Sequence, residues 1–265
     1  MTGMSPWFAV VVALFLWWFS TGAILLVVKR ADRAGDGAHL WATLSGLPFL
    51  VFGIAGYGAS LGDASLFGVY LAFFSALAIW GWIELAFLTG IITGPNRAPC
   101  PPGMRGWRRF RAACGTLAHH EILLATALVL MLLAARGAEN TLGFWIFAVL
   151  FFARVSAKLN LFLGVPKINT EFLTAPLAHL PSYFRRAPLN EVFPLSVTLL
   201  SFAVALWLER LVTAGTPAET AGFALLTALT ALALLEHWFM ILPLPDEKLW
   251  RWMLPGNAAA KNTET

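Results

Sequence analysis

The sequence predicts an all-α polytopic membrane bundle of about seven transmembrane helices, with the N-terminus outside and the C-terminus cytoplasmic. Composition is the first reason. Of 265 residues, 59% are hydrophobic and only 12% are charged, where a soluble domain carries about 45–50% and about 25%; mean hydropathy is +0.74. Apolar runs of about 20 residues recur along the whole chain, and each is long enough to cross a bilayer. Basic residues then alternate in density from one connection to the next, as the positive-inside rule requires of alternating loops. Residues 1–265 are therefore read as a single integral membrane domain, with no room for a separate soluble one.

In order, the spans fall at roughly 6–28, 39–60, 65–92, 108–135, 142–164, 191–213 and 219–242. The first, Pro6 to Val28, is not a cleavable signal: it has no basic leader, is too long for an h-region and ends in Lys29-Arg30. One side of the bundle collects sixteen basic residues, among them Lys29, Arg97, Arg108, Arg109, Lys167, Arg185, Arg186 and Arg251. The other side receives only Arg136 and Arg210. That asymmetry sets the orientation and favours an odd number of spans. It also accounts for the pI near 9.4 as a topology signal rather than a nucleic-acid stripe.

Trp107, Trp250 and Trp252 beside arginines mark interfaces. Asp246 to Leu254 has the pattern of a short surface helix, and an extended tail anchored by its two tryptophans fits equally. The tail beyond Gly256 is small and polar and is expected to be disordered. Outside loops, such as Gly62-Asp63 and Gly137 to Asn140, are short turns. Two inner connections are richer. Thr93 to Arg105 is stiffened by Gly94-Pro95 and Pro99-Cys100-Pro101-Pro102-Gly103. Pro166 to Asn190 mixes apolar and charged residues and is expected to lie at the interface as short helices. Arg185 and Arg186 there either contact membrane lipid headgroups or serve topology alone. Cys100 and Cys114 fit no metal or redox spacing.

Within the apolar run Ala112 to Ala135 stand His119-His120-Glu121, three titratable residues where each charge is costly. Glu84, Arg154, Lys158, Glu236 and His237 fall at a similar depth on three other spans, roughly 9–15 Å below the inner surface at about 1.5 Å per residue. Arg154 and Lys158 share one helix face, and Glu84, Glu121 and Glu236 can pair with them. Asn160 and Glu171 extend the polar path toward the inner loop. Glu209-Arg210 lies near the outer surface and reads as a local pair.

Three readings of this belt compete. It can be a network that fixes helix packing. It can hold a tetrapyrrole or other amphiphile, with His119, His120 and His237 as magnesium ligands, Arg154 and Lys158 meeting carboxylates, and Asn160 nearby. It can be a carboxylate-histidine metal site, an iron pair drawing on Glu84, His120, Glu121, Glu236 and His237. The Glu-x-x-His pair of helical di-iron bundles is absent, and adjacent residues diverge by about 100°, so His119, His120 and Glu121 cannot face one point. Trp17, Trp18, Trp80 and Trp82 are read as packing residues, with a pigment or quinone stack as the rival. A transporter lacks its usual marks, since neither repeats nor paired broken spans stand out.

The segments His119-His120-Glu121-Ile122-Leu123-Leu124, Ala153 to Val165, Phe184 to Asn190 with Phe193-Pro194, and Leu235 to Phe239 with Leu242-Pro243-Leu244-Pro245 resemble the photosynthetic complex assembly protein 2 family (PuhE-like) in order and spacing. The resemblance covers most of the chain. It implies a multi-pass protein of the bacterial inner (intracytoplasmic) membrane that assists assembly of reaction-centre and light-harvesting complexes. It further implies handling of bacteriochlorophyll or a precursor, and partners among photosystem subunits or pigment-biosynthesis proteins. It carries over no catalytic residues. The rival activity is an intramembrane metal-dependent oxidase or hydroxylase acting on a pigment or isoprenoid precursor.

Overall fold

Among the described residues, seven stretches of this chain are long and apolar enough to cross a membrane, and all are helical, the form that pairs backbone groups within the segment as hydrocarbon demands. The computed structural model describes residues 5–35, 37–170 and 173–249. Eight α-helices make the seven spans: α1 (Pro6–Ala34), α2 (Ala38–Ser45), α3 (Leu47–Ser60), α4 (Leu66–Leu88), α5 (Gly106–Ala134), α6 (Leu142–Leu163), α7 (Val192–Val212) and α8 (Pro217–Phe239). Trp250, Trp252, Glu171 and the tail beyond Gly256 lie outside the described residues. Of the surface segment expected from Asp246, a 3₁₀ turn at Asp246–Leu249 falls within them.

Three boundaries depart from the sequence reading, each for a local reason. The span expected at 39–60 is two helices, because Pro48 at the start of α3 has no N–H to continue the ladder. Gly46 at the break is a close approach: a Cβ there would lie 2.9 Å from Leu85 and 3.0 Å from Trp82. The span expected to reach residue 92 ends at Leu88. Thr89 turns its hydroxyl back to the Leu85 carbonyl (2.9 Å), and Gly90 takes φ 76°, a left-handed stop that glycine tolerates. At the other extreme, α1 runs past Val28 through Lys29, Arg30 and Arg33 to Gly35, whose φ of 85° ends it.

The two central helices are α4 and α8, which carry the largest buried share of any spans. Small residues let backbones approach, as in other membrane bundles. On α3, a Cβ at Gly53 would sit 2.9 Å from the Ser75 carbonyl of α4. Phe73, Phe147, Leu225 and Leu226 fill the core between α4, α6 and α8. A reciprocal cap of Thr216 and Glu219 starts α8.

At the end of the bundle rich in Lys and Arg, both long connections fold inward. Residues 89–96 dock on the middle of α5, with the His120 amide donating to the Thr93 carbonyl and the Asn96 amide to that of Gly115, both 3.0 Å. A Cβ on Gly94 would lie 2.1 Å from the Gly115 oxygen, so only glycine permits this contact. The 164–190 connection, expected as short interfacial helices, holds no α-helix among its described residues. It is extended, with 3₁₀ turns at Ala175–Leu177 and Leu180–Tyr183 and one parallel bridge between Val165 and Arg186. Its prolines at 166, 176, 181 and 188 deny it a helix, and its Val165, Leu177, Leu180 and Tyr183 are buried. It forms a roof across the bundle end. Lys29 donates to the Leu173 carbonyl (2.7 Å) and Thr174 to that of Leu88 (2.6 Å). Arg109 donates to the carbonyls of Tyr183 (2.6 Å) and Phe162 (3.2 Å).

Asn190 closes the roof. Its amide donates to Asn160 Oδ1 (3.0 Å) and the Gly164 carbonyl (2.8 Å), and its Oδ1 accepts from the amides of Val192 and Phe193 at the start of α7. Asn190→Ala removes a helix cap and leaves buried Asn160 partly unpaired. It is expected to cost about 2–3 kcal/mol, read as a lower midpoint of thermal unfolding in detergent. His179, also buried in the roof, gives a second prediction. Burial, and then the neighbouring Arg97, hold its imidazole below the ordinary 6.5. The fold binds the neutral ring, so stability is complete above that value and is lost as pH falls from it toward the lowered one. Thermal scans between about pH 7.5 and 5.5 should show an acid-side loss that His179→Gln reduces.

Candidate functional site

Glu84 sits one turn before the end of α4, Arg154 in the second half of α6, and the pair meets between them: Arg154 Nη2 donates to Glu84 Oε2 at 3.0 Å. On the other side of the carboxylate, His120 Nε2 lies 3.6 Å from Glu84 Oε1. His120 is completely buried and lies against the Phe87 ring, centroids 4.3 Å apart. One turn along α6 from Arg154, Lys158 pairs with Glu121 of α5 and sits 5.5 Å from the face of Phe87. The bundle thus holds two cross-helix ion pairs at one level, α4–α6 and α5–α6, with Phe87 and His120 between them. Pairing of this kind is what makes charge tolerable at membrane depth.

The remaining belt residues separate from this group. Glu236 of α8 accepts from Trp17 Nε1 of α1 at 2.8 Å. His237 points the other way: Nδ1 is 2.8 Å from the Ala233 carbonyl and Nε2 is 2.9 Å from Ser156 Oγ. A carbonyl only accepts, so Nδ1 carries the proton and Nε2 accepts from the serine; both nitrogens are engaged. Asn160 is buried in the clasp with Ser196 and Asn190. His119 is exposed on the outer face of α5, about 100° from its buried neighbour, as helix geometry requires. Among the described residues no three of His, Cys, Asp and Glu gather as a metal site. The five residues proposed as iron ligands are therefore spread over distinct contacts rather than converging.

Two cavities flank Arg154. The larger, about 360 Å³, is walled by α1, α4, α6 and α8 and reached by Trp17, Thr21, Trp80, Glu84, Arg154 and Glu236. The smaller, about 200 Å³, lies under the roof between α4, α5 and α6, and is lined by Phe87, Thr116, Lys158, Phe162, Tyr183 and Phe184. Leu88, Arg154, Asn169 and Leu173 belong to both walls. Histidine lines neither cavity. Buried polar atoms without a hydrogen-bond partner cluster here: Glu84 Oε1, both His120 ring nitrogens and Arg154 Nε. Native interiors leave few such atoms. The chemistry on offer is hydrogen-bond donation from a paired guanidinium into mostly apolar space.

Sequence reasoning does not single out Phe87, Ser156 or Tyr183, and it weighs Trp17 only for packing or a pigment stack, not as the partner of Glu236. Trp17 carried a usable signal, since an indole N–H inside a span needs an acceptor. Ser156 and Tyr183 carried none, because a hydroxyl is common in spans and loops alike. At the ion pair, Glu84→Gln and Arg154→Gln should each destabilise more than the double variant does. The double-mutant cycle is expected to return a coupling of about 1–3 kcal/mol, reduced by the partial exposure of Arg154, measured by thermal unfolding in detergent.

Comparison with known proteins places this architecture. The profile of a family described as "Protein of unknown function (DUF3623)" matches residues 3–261. A Rhodobacter capsulatus protein, described as an uncharacterized 30.4 kDa protein in the puhA 5' region, is 55% identical over 252 residues, which are 95% of this chain and 92% of that one. No solved structure matches. With nearly its whole length inside the profile, the chain belongs to the DUF3623 family.

Proposed function

We propose that this protein is an assembly factor of the PuhE-like kind for photosynthetic reaction-centre and light-harvesting complexes, and that it holds bacteriochlorophyll or a precursor in the membrane. The observation that carries the pigment part is Arg154: a guanidinium paired to Glu84, with its Nε unpartnered, set between two mostly apolar cavities at membrane depth. An apolar body with one polar group fits such a place. The photosynthetic part draws on the Rhodobacter capsulatus relative and its puhA neighbourhood, and on the motif resemblance. In this reading the basic end faces the cytoplasm, where photosystem subunits or pigment-biosynthesis proteins meet it.

The larger cavity, about 360 Å³, is near the lower bound for ligand pockets. A chlorin therefore enters edge-first and in part. A bound chlorin supplies a magnesium and peripheral carbonyl or carboxyl groups. The chain's own residues suit the periphery: Arg154 and Lys158 donate, while Trp80 and Thr21 shape the apolar wall. The ring of His120 is sealed behind Glu84 and Phe87, and that of His237 is engaged on both nitrogens, which leaves exposed His119 as the histidine suited to a metal from outside. The oxidase reading has no converging ligand set among the described residues to stand on.

The test is pigment and metal content of detergent-purified protein from pigment-replete cells, wild type beside Thr21→Phe, which adds bulk to the larger cavity at a residue that belongs to neither ion pair. A chlorin absorption band in the wild type, reduced severalfold in the variant, is expected. Colourless wild type overturns the pigment reading, and near-stoichiometric iron in its place favours a redox enzyme.

A further inference from the structure

Among the described residues, the wall of the larger cavity carries three charged side chains, and two of them are acids. Glu84 and Arg154 pair there at 3.0 Å, and Glu236 of α8 reaches the same space. Lys158, one turn along α6, lines the smaller cavity instead and pairs with Glu121. Lys29 donates to the carbonyl of the lining residue Leu173 and lies 3.9 Å from its own acid, Asp32.

Glu236 is not packed away. It is an exposed residue near the end of a span, open to the cavity, and the Trp17 indole N–H donates to it at 2.8 Å. An indole N–H is neutral, so it orients the carboxylate without cancelling its charge. Arg154 is 38% exposed at its side chain and is coupled electrostatically to both acids. One guanidinium between two carboxylates has no positive charge to spare for a third. A carboxylate brought in on a ligand meets Glu236 across a low dielectric, where like charges repel strongly. A neutral carbonyl meets no such barrier. Arg154 Nε is buried and unpartnered, and Ser20 and Thr21 add hydroxyls on the α1 wall; each of these can donate to a carbonyl oxygen.

From this wall we infer that the larger cavity takes a neutral, carbonyl-bearing edge of a chlorin and that Glu236 excludes free carboxylic acids, so that the guest is an esterified pigment rather than its acid precursor. The inference rests on the pigment reading above and narrows it. Glu236 sets the specificity by its charge, while Arg154 and the α1 hydroxyls supply the hydrogen bonds. The class of reaction that must supply such a guest is esterification of a tetrapyrrole carboxyl group, and the protein acts downstream of it.

The probes are three forms of one magnesium-free chlorin that differ in a single side chain: the carboxylic acid, its methyl ester and its aminoethyl amide, which carry negative, no and positive charge. Each is titrated by fluorescence into the full-length protein in nanodiscs and into empty nanodiscs, whose uptake is subtracted. Wild type is expected to bind the ester and the amide with similar affinity and the acid about tenfold or more weakly, the scale of one unfavourable charge contact. Rejection of the anion alone is the mark of an acidic wall, since apolar space by itself rejects both ions. Glu236→Gln keeps an acceptor for Trp17 and is expected to bring the acid within about threefold of the ester, with ester affinity unchanged. The three probes are compared on the wild type, so the result stands even if the variant fails to fold. Acid bound as tightly as ester, or acid and amide rejected alike, overturns the selection by charge and leaves pigment binding intact. A preference against the acid that survives Glu236→Gln overturns the assignment to Glu236. Binding of none of the three above empty nanodiscs overturns the pigment reading as well.

Discussion

A carboxylate and a guanidinium inside an apolar slab have to find each other, and the rest of this bundle is arranged so that Glu84 and Arg154 do. Their pairing fixes the rotation of α4 against α6 and the level at which the two helices meet. Lys158 is then carried one turn further along the same face of α6, where Glu121 of α5 answers it. Two ion pairs on one face of α6 hold three helices in register. Whether such pairs add net stability over apolar residues is secondary. They forbid other registers, since any slip leaves a charge unpaired in hydrocarbon.

The roof matters for a related reason. Non-helical backbone at membrane depth survives only where protein surrounds it, and here it is surrounded. Residues 89–96 lie on α5, and the described residues of 164–190 lie over the helix ends, with carbonyls taken up by Lys29, Arg109 and Asn190, while Arg185 caps the Leu163 carbonyl of α6. Basic side chains that set topology in the sequence thus do a second thing in the structure. They satisfy backbone oxygens and convert a loop into a lid over polar space.

Much of this could be read from the sequence. Seven spans follow from run length alone, and the alternation of His119 and His120 between outside and inside follows from helix geometry. The partners available to Arg154 and Lys158 were countable, because few carboxylates lie at that depth. What could not be read depends on azimuth and on chain that has no period. Hydropathy says that Glu236-His237 is deep. It does not say that Glu236 meets Trp17 while His237 turns to Ser156, because the rotation of α8 is set by packing against α7, α1, α6 and α4. Nor does composition show that 164–190 folds inward, since Tyr183 and Leu177 look alike on a surface and in a core. The break at Gly46 falls in Gly46-Leu47-Pro48, inside apolar sequence that runs on continuously on both sides.

The position of α8 bears on when the site comes into being. It supplies Leu229, Leu232, Ala233 and Glu236 to the larger cavity, and it is the seventh span to leave the ribosome. Until it inserts, the pocket stands open along one entire side, and Trp17 has no acceptor at Glu236. An unfinished chain therefore lacks one wall of that cavity, which takes its shape only once the last span is in place.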